Sequence, residues 1–274
     1  MATRTLTQAE SARAGLIGRA YRRYQALVLG IAGLIAPIVL WEIAARANWI
    51  NPLIFSSPSA IGRAFRTEIN SGVLTADVAV TLRAFAVSFL LAAVVGIALG
   101  LVMGLYTDIQ YILEPYVWFF YTAPSIAFYS LLVVWFGFGF GTVVAIAFWL
   151  TVIPIAVNTL AGVRSVDSRL VQVVRAFGGR TADVTLKVVL PSAVPMVVAG
   201  LRIGLGRSLV GVIVGELFSS NAGVGYRISF YAGKLQMANM FVPLVCVVVF
   251  GVAMSQVVRW AEERLTRRWA LPPG

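Results

Sequence analysis

Apolar residues in this chain gather into long runs, with polar residues confined to the stretches between them. Six runs stand out, at about 27–45, 83–106, 116–136, 142–163, 196–218 and 241–260. Each is close to the roughly 20 residues that carry a helix across the hydrocarbon core of a bilayer. The pattern predicts an all-α membrane protein with six transmembrane helices and both chain ends on one side. The first run follows a basic, polar stretch and ends without a clear small-residue cleavage site, so it reads as an uncleaved span rather than a signal peptide.

The polar stretches carry their own helical signals. Ser57-Pro58-Ser59 opens a helix with Ala60, Ile61, Ala64, Phe65 and Ile69 at helical spacing, a short amphipathic element on the outer membrane face. The SSNAGVGY stretch after the fifth span favours a tight turn. Between spans four and five, residues 164–195 resolve into two short helices. Asp167 or Ser168 caps the first, and Gly178-Gly179 ends it near Phe177. Thr181 caps the second, Asp183 sits in its first turn, and Pro191 and Pro195 mark its end before span five. Val171, Val174, Ala176, Phe177, Val184, Leu186 and Val188 give this pair apolar faces that a solvated loop does not need.

Charge orients the chain. The net charge is +11, and only 12% of the residues are charged while 59% are hydrophobic. Residues 1–26, the 164–195 segment and the C-terminal stretch from Arg259 share 14 of the positive charges, against 6 on the opposite side. Cytoplasmic loops retain Lys and Arg, so the N-terminal arm, the 164–195 segment and the tail are placed in the cytoplasm. The same rule accounts for the basic balance without nucleic acid. There is no histidine, and the single cysteine, Cys246, lies in an apolar run, which excludes an internal disulfide and a Cys/His metal site. No G-x-x-x-x-G-K-[ST] occurs, and Lys187 and Lys234 are the only lysines, so the chain cannot cradle ATP phosphates in the P-loop manner. No cofactor is expected.

Two charged residues inside the runs are candidates for function. Arg207 lies mid-way along the fifth span. It either lines a translocation path and favours an anion, or forms a structural pair with Glu42 or a helix carbonyl. Glu216, near the outer end of the same span, is a candidate for the path, for contact with a binding protein, or for a structural role. Arg202 lies 14 residues before Glu216 on nearly the same helical face, about 21 Å away. Asn158 is expected to donate a hydrogen bond between helices. Gly96, Gly100 and Gly104, and Gly200, Gly204, Gly211 and Gly215, are spaced for close helix approach, within the chain or between copies.

The polar segment carries a specific pattern. Gly178 lies thirteen residues before Pro191 of Leu190-Pro191 and six after Gln172. This spacing resembles the "EAA" loop of the permease subunits of binding-protein-dependent ABC importers. Gln172 occupies the motif's Glu position, and Val173 and Val174 its alanines, so the acidic residue is absent. SPSAIGRAF at 57–65, PSIAFYSLLVVWFGFG at 124–139, NTLAGVRSVD at 158–167, GLRIGLG at 200–206 and AGVGYRI at 222–228 are similar, in order, to the nitrate/sulfonate/taurine branch. The resemblance covers roughly residues 30–260.

The resemblance implies a type I ABC importer permease-like fold over 27–260 with cytoplasmic coupling helices between spans four and five. It implies a permease homodimer, a cytoplasmic ABC ATPase dimer, a periplasmic or lipid-anchored substrate-binding protein, and a small anionic solute. The ATPase-coupling residues it marks are Gln172, Ala176, Gly178, Asp183, Leu190 and Pro191. Two other classes fit the composition: a secondary transporter or channel without an ATPase, and a membrane scaffold with no path. The capped helix pair and the absence of a visible inverted repeat favour the importer.

Overall fold

The computed structural model describes residue 25 and residues 29–33, 35–51 and 54–266. The expected N-terminal arm, residue 25 apart, and the tail beyond 266 lie outside the described residues. The described chain is helical, in two compact units divided between Ala64 and Phe65.

The first unit holds α1 (Leu29–Arg46), long and apolar enough to cross a membrane. Near its end the Glu42 carboxylate pairs with Arg46 at 2.7 Å and accepts the Ser59 N–H at 2.9 Å. These contacts occupy the acid that was one expected partner of Arg207. Helix α2 (Pro58–Asn70) starts where the sequence places it. Ser57 accepts the Ala60 N–H at 3.3 Å, and Pro58 fits a first helical position, where no N–H is needed.

In the second unit α3 (Val73–Leu105), α6 (Phe140–Arg164) and α9 (Leu190–Ser219) form the core. Helix α6 is the middle member, and half of its apolar window is buried. Ala147, Ile155 and Ala156 have at most 1% of their surface exposed. The expected glycine spacing is used here, inside one chain. A Cβ on Gly100 of α3 would stand 2.5 Å from the Ala156 carbonyl oxygen, and one on Gly211 of α9 would stand 2.6 Å from Ala147 Cα. Thr151 and Thr159 turn their hydroxyls back onto carbonyls of their own helix, at 2.5 and 2.8 Å, so neither presents an unsatisfied hydroxyl at the close contacts. Asn158 behaves likewise. Its amide donates to Pro154 of the same helix at 2.8 Å, not to a second helix as expected.

Three element boundaries depart from the sequence expectation. Helix α3 starts ten residues before the expected span, so Asp77 and Thr81 lie on a core helix and not in an outer loop. The third expected span, 116–136, is broken. It falls on α4 (Thr107–Thr122), a 3₁₀ turn (Ser125–Phe128) and α5 (Tyr129–Phe136). Ala123 is extended (ψ 135°), the conformation forced on a residue before proline, here Pro124. Among the described residues, five helices rather than six are therefore long and apolar enough to span.

The third departure is that the second short helix of the 164–195 segment does not end at Pro191 or Pro195. Helix α8 (Thr181–Val184) passes through a π turn (Thr185–Val189) directly into α9. Pro191 falls where the π turn hands over to α9, and the helix continues through it. Helices α7 (Ser168–Ala176), α10 (Val224–Gly233) and α11 (Met237–Thr266) complete the unit.

Replacing Gly100 with Val puts a side chain into the α3–α6 contact and is expected to cost about 1–3 kcal/mol, lowering the melting temperature in detergent. Gly62→Ala, where an added Cβ meets nothing within 4 Å, is expected to be neutral or to stabilise by about 0.5–1 kcal/mol. Equal melting temperatures for the two variants would show that the close approach does not hold the core.

Candidate functional site

Helices α7 and α8 form a two-faced knob at one end of the bundle. Asp167 caps α7, its carboxylate accepting the Arg169 N–H at 2.8 Å. The C-terminus closes as the double glycine predicts. Gly178 sits at φ +79°, the Gly178 N–H reaches the Arg175 carbonyl at 2.9 Å, and the Gly179 N–H reaches that of Val174 at 2.9 Å. Those paired bonds satisfy the last carbonyls of the helix. Thr181 is the first residue of α8 rather than its cap. Asp183 takes the capping role from inside the helix, accepting the Arg180 N–H at 3.0 Å and pairing with Lys187 at 2.7 Å.

The inner face of the knob is apolar. Val184 and Val189 are buried with Val163 and Ala193, and Val171 and Val174 pack against them. The outer face is apolar too, yet it is uncovered. Phe177 is 89% exposed, Leu186 64%, Val173 52% and Leu170 49%. Of the residues marked for coupling, Gln172 and Ala176 are exposed on α7, Gly178 forms the turn, and Asp183 fastens α8. Leu190 and Pro191 are half-buried at the head of α9, away from the exposed rim.

Arg207 is exposed near the midpoint of α9 and makes no hydrogen bond or ion pair among the described residues. It borders a cavity of about 40 Å³ with Phe120, Tyr121, Trp149 and Pro154. The walls are held by aromatic packing, with Phe120 and Trp149 centroids 4.5 Å apart in an edge-to-face arrangement.

Glu216 is not brought to this cavity. It lies nine residues further along α9, half a turn out of register at about 100° per residue, and only 1% of it is exposed. At the far end of the bundle from the knob it anchors a buried polar clamp. Thr81 of α3 donates its hydroxyl to the Glu216 carboxylate at 2.8 Å, and the Gly225 N–H donates to Oε2 at 2.8 Å. Thr81 Oγ1 in turn accepts the Val224 N–H at 2.9 Å. Asp77, one helical turn before Thr81, accepts the Gly223 N–H at 2.9 Å and pairs with Arg227. The AGVG stretch is shaped by this carboxylate: Gly223 sits at φ +103°, and a Cβ there would stand 2.3 Å from Glu216 Oε1. Asp77 and Thr81 are the members that sequence reasoning missed. Their signal was two polar residues four apart, the spacing of neighbours on a helix face.

A second acidic anchor lies close by. Glu68 is buried, and its Oε1 accepts from the Tyr231 hydroxyl at 2.5 Å and from Asn239 at 3.1 Å. Burial and the Glu68 carboxylate push the Tyr231 hydroxyl up to about 12, so it remains a donor at any physiological pH.

Thr81→Val strips the donor to Glu216 and the acceptor of Val224 while keeping the shape. It is expected to cost about 1–3 kcal/mol and to speed amide exchange across 223–227. Hydrogen exchange read by mass spectrometry checks this, with unchanged protection of that loop as the contrary result.

Comparison with known proteins follows the same outline. Residues 92–270 match the family described as binding-protein-dependent transport system inner membrane component. The chain is 29% identical over 238 residues to a putative aliphatic sulfonates transport permease protein of Bacillus subtilis (strain 168), covering 86% of each. It is 31% identical over 201 residues to a probable ABC transporter permease protein of Brucella melitensis biotype 1, covering 73% of this chain and 82% of that one. With the taurine transport system permease protein of Escherichia coli (strain K12) it shares 26% identity over 245 residues, 88% and 89% of the two chains. A chain of the MetNI methionine ABC transporter in inward-facing conformations matches the fold with a TM-score of 0.60 at 20% identity, over 73% of this chain and 97% of that chain. A helical bundle with a two-faced knob at one end and this ordered similarity along most of its length place the chain in one family: it belongs to the inner membrane components of binding-protein-dependent transport systems, a multi-pass permease component of an ABC importer and not itself an enzyme.

Proposed function

We propose that this permease passes a small anion of the sulfonate or taurine kind across the inner membrane, as one half of a homodimer. The broken α4–α5 segment supplies a sixth crossing. That puts both termini and the α7–α8 knob on the cytoplasmic side, against a pair of ATPase subunits, and the Glu216 clamp at the face that meets a substrate-binding protein. Membership in a binding-protein-dependent ABC family supports those two kinds of partner.

The observation that carries the anion reading is Arg207. A guanidinium at mid-bilayer costs about 2.5–3.5 kcal/mol, and such residues face a path or a partner. Arg207 has no acid beside it and stands in a small aromatic-walled recess. A passing sulfonate or carboxylate would supply the missing charge and could accept two parallel hydrogen bonds from the guanidinium. Relatives named for sulfonates and taurine, at 29% and 26% identity, support the same solute class.

Energy reaches that path through the knob. Phe177 and Leu186 present an apolar rim of the kind that seats in a cleft of a partner, and exposed aromatic anchors carry much of the binding energy in such contacts. The absent acid of the coupling motif, with Gln172 in its place, leaves apolar packing as the main adhesive.

Two outcomes test the reading. In proteoliposomes holding the complete importer, Arg207→Gln is expected to lower taurine or alkanesulfonate uptake by about tenfold or more, a loss of about 1.4 kcal/mol, with the ATPase still bound. Undiminished uptake would remove Arg207 from the path. Phe177→Asp is expected to weaken association with the ATPase by about 30-fold, the effect of losing a 2 kcal/mol anchor, while the permease itself melts normally. Full co-purification of the ATPase with this variant would displace the docking surface from the knob.

A further inference from the structure

The last helix, α11, packs loosely. Only 11% of its apolar window is buried, against 50% for α6. Two cavities open along its flank. One, of about 360 Å³, is wholly apolar in its facing side chains apart from Thr81, with Leu209, Val249 and Phe250 among its walls. The other, of about 320 Å³, lies between α9 and α11 and is bordered by Arg202, Arg259, Ser255 and, again, Leu209. Leu209 lines both, so a cationic mouth and an apolar slot adjoin along the same flank of α11.

The mouth sits at a membrane boundary. Arg259 is the last but one residue of the membrane-crossing stretch of α11, Met237–Trp260. Trp260 follows it, with the Arg264 guanidinium 3.8 Å above its ring. Tryptophan beside arginine at the end of a span marks the headgroup level. Arg202 lies deeper on α9, and its long stem lets the guanidinium reach toward the same level.

We infer that this cleft is a binding site for an anionic phospholipid, with the phosphate held between Arg202 and Arg259 and an acyl chain lying along α11 past Leu209. Two observations carry the choice of ligand. Two guanidiniums at one mouth match a phosphodiester, which they can grip bidentately. The adjoining slot is apolar over a length that a free anion would leave empty. The inference is separate from the solute path: Arg207 borders a different cavity, with no wall in common. It holds whichever side of the membrane the mouth faces.

The test uses the assembled importer, stripped of lipid in mild detergent and titrated with phosphatidylglycerol or phosphatidylcholine under native mass spectrometry. The wild type is expected to retain phosphatidylglycerol about 25-fold more strongly, fivefold for each guanidinium. The Arg202→Gln/Arg259→Gln variant is expected to lose that preference, Arg202→Lys/Arg259→Lys to keep most of it, and Arg264→Gln and Arg207→Gln to leave it intact. Equal retention of the two lipids by the wild type, which needs no variant to fold, would overturn the proposal. So would displacement of the lipid by millimolar inorganic phosphate, which would make this a free-anion site, and so would an equal loss in Arg264→Gln, which would reduce it to a diffuse surface charge. Failure of any of these leaves the Arg207 uptake result standing, because the two sites share no residue.

Discussion

Everything in this bundle is arranged around how closely α6 is approached from both sides. Apolar side chains gain nothing by leaving lipid for one another, so helices in a membrane associate through contact geometry rather than through the hydrophobic effect. The contact here is close enough that backbone meets side chain directly. At Gly100 there is no room for a Cβ before the Ala156 carbonyl, and at Gly211 none before Ala147. Such proximity multiplies dispersion contacts that are individually worth only about 0.1–0.2 kcal/mol. It also disfavours free hydroxyls at the contacts, and Thr151 and Thr159 avoid them by bonding to their own helix.

A core held by geometry alone needs its ends fastened, and the two ends are fastened differently. At the knob end the fastening is apolar, with Val184 and Val189 on Val163 and Ala193. At the opposite end it is polar and buried. There the Glu216 carboxylate, Thr81 and Asp77 hold the backbone N–H groups of Gly223, Val224 and Gly225, with Arg227 paired to Asp77. Buried carboxylates are costly unless their oxygens are satisfied, so the loop cannot open without exposing or stranding several groups together. The ordinary fastening is thus on the side that the proposed cycle must move, and the stringent one is on the side where a binding protein would press.

What could be read from the residues is what local chemistry decides. The cap at Asp167, the left-handed Gly178, the start of α2 at Ser57 and most of the spans follow from propensities within a few residues of each site. What could not be read depends on distant partners. Thr81 and Glu216 meet across 135 residues, and the four-residue spacing of Asp77 and Thr81 marks a helix face without telling whether that face is buried. The polar residues near 77–81 led the expected span to begin too late, because a buried hydrogen-bonded Asp looks the same in sequence as a solvated one. Proline misled in both directions. Pro124 breaks the third run because the chain there is free to turn, whereas Pro191 leaves its helix unbroken because a π turn precedes it. Arg207 was identified as a candidate because an unpartnered charge in an apolar run is visible without any structure.

The continuity across Pro191 has a mechanical consequence for the proposed transport cycle. Residues 181–219 form one rod of 39 residues, about 58 Å at 1.5 Å per residue. Its first turn belongs to the knob, its middle carries Arg207 and its far end carries Glu216. Had the chain hinged at Pro191, motion imposed on α8 by a partner could dissipate in the hinge before reaching the middle of the membrane. Along the rod as built, the departure from regular helix is the π turn at Thr185–Val189, within the buried layer that fastens the knob. Single π turns of this kind occur preferentially where a helix does work. In the proposed cycle, with the far end held by the clamp, displacement at the knob would swing Arg207 about a fixed point at Glu216. The recess beside Arg207 would then change shape while the 223–227 loop stays closed, so the clamp that buries Glu216 would serve the proposed path as its pivot.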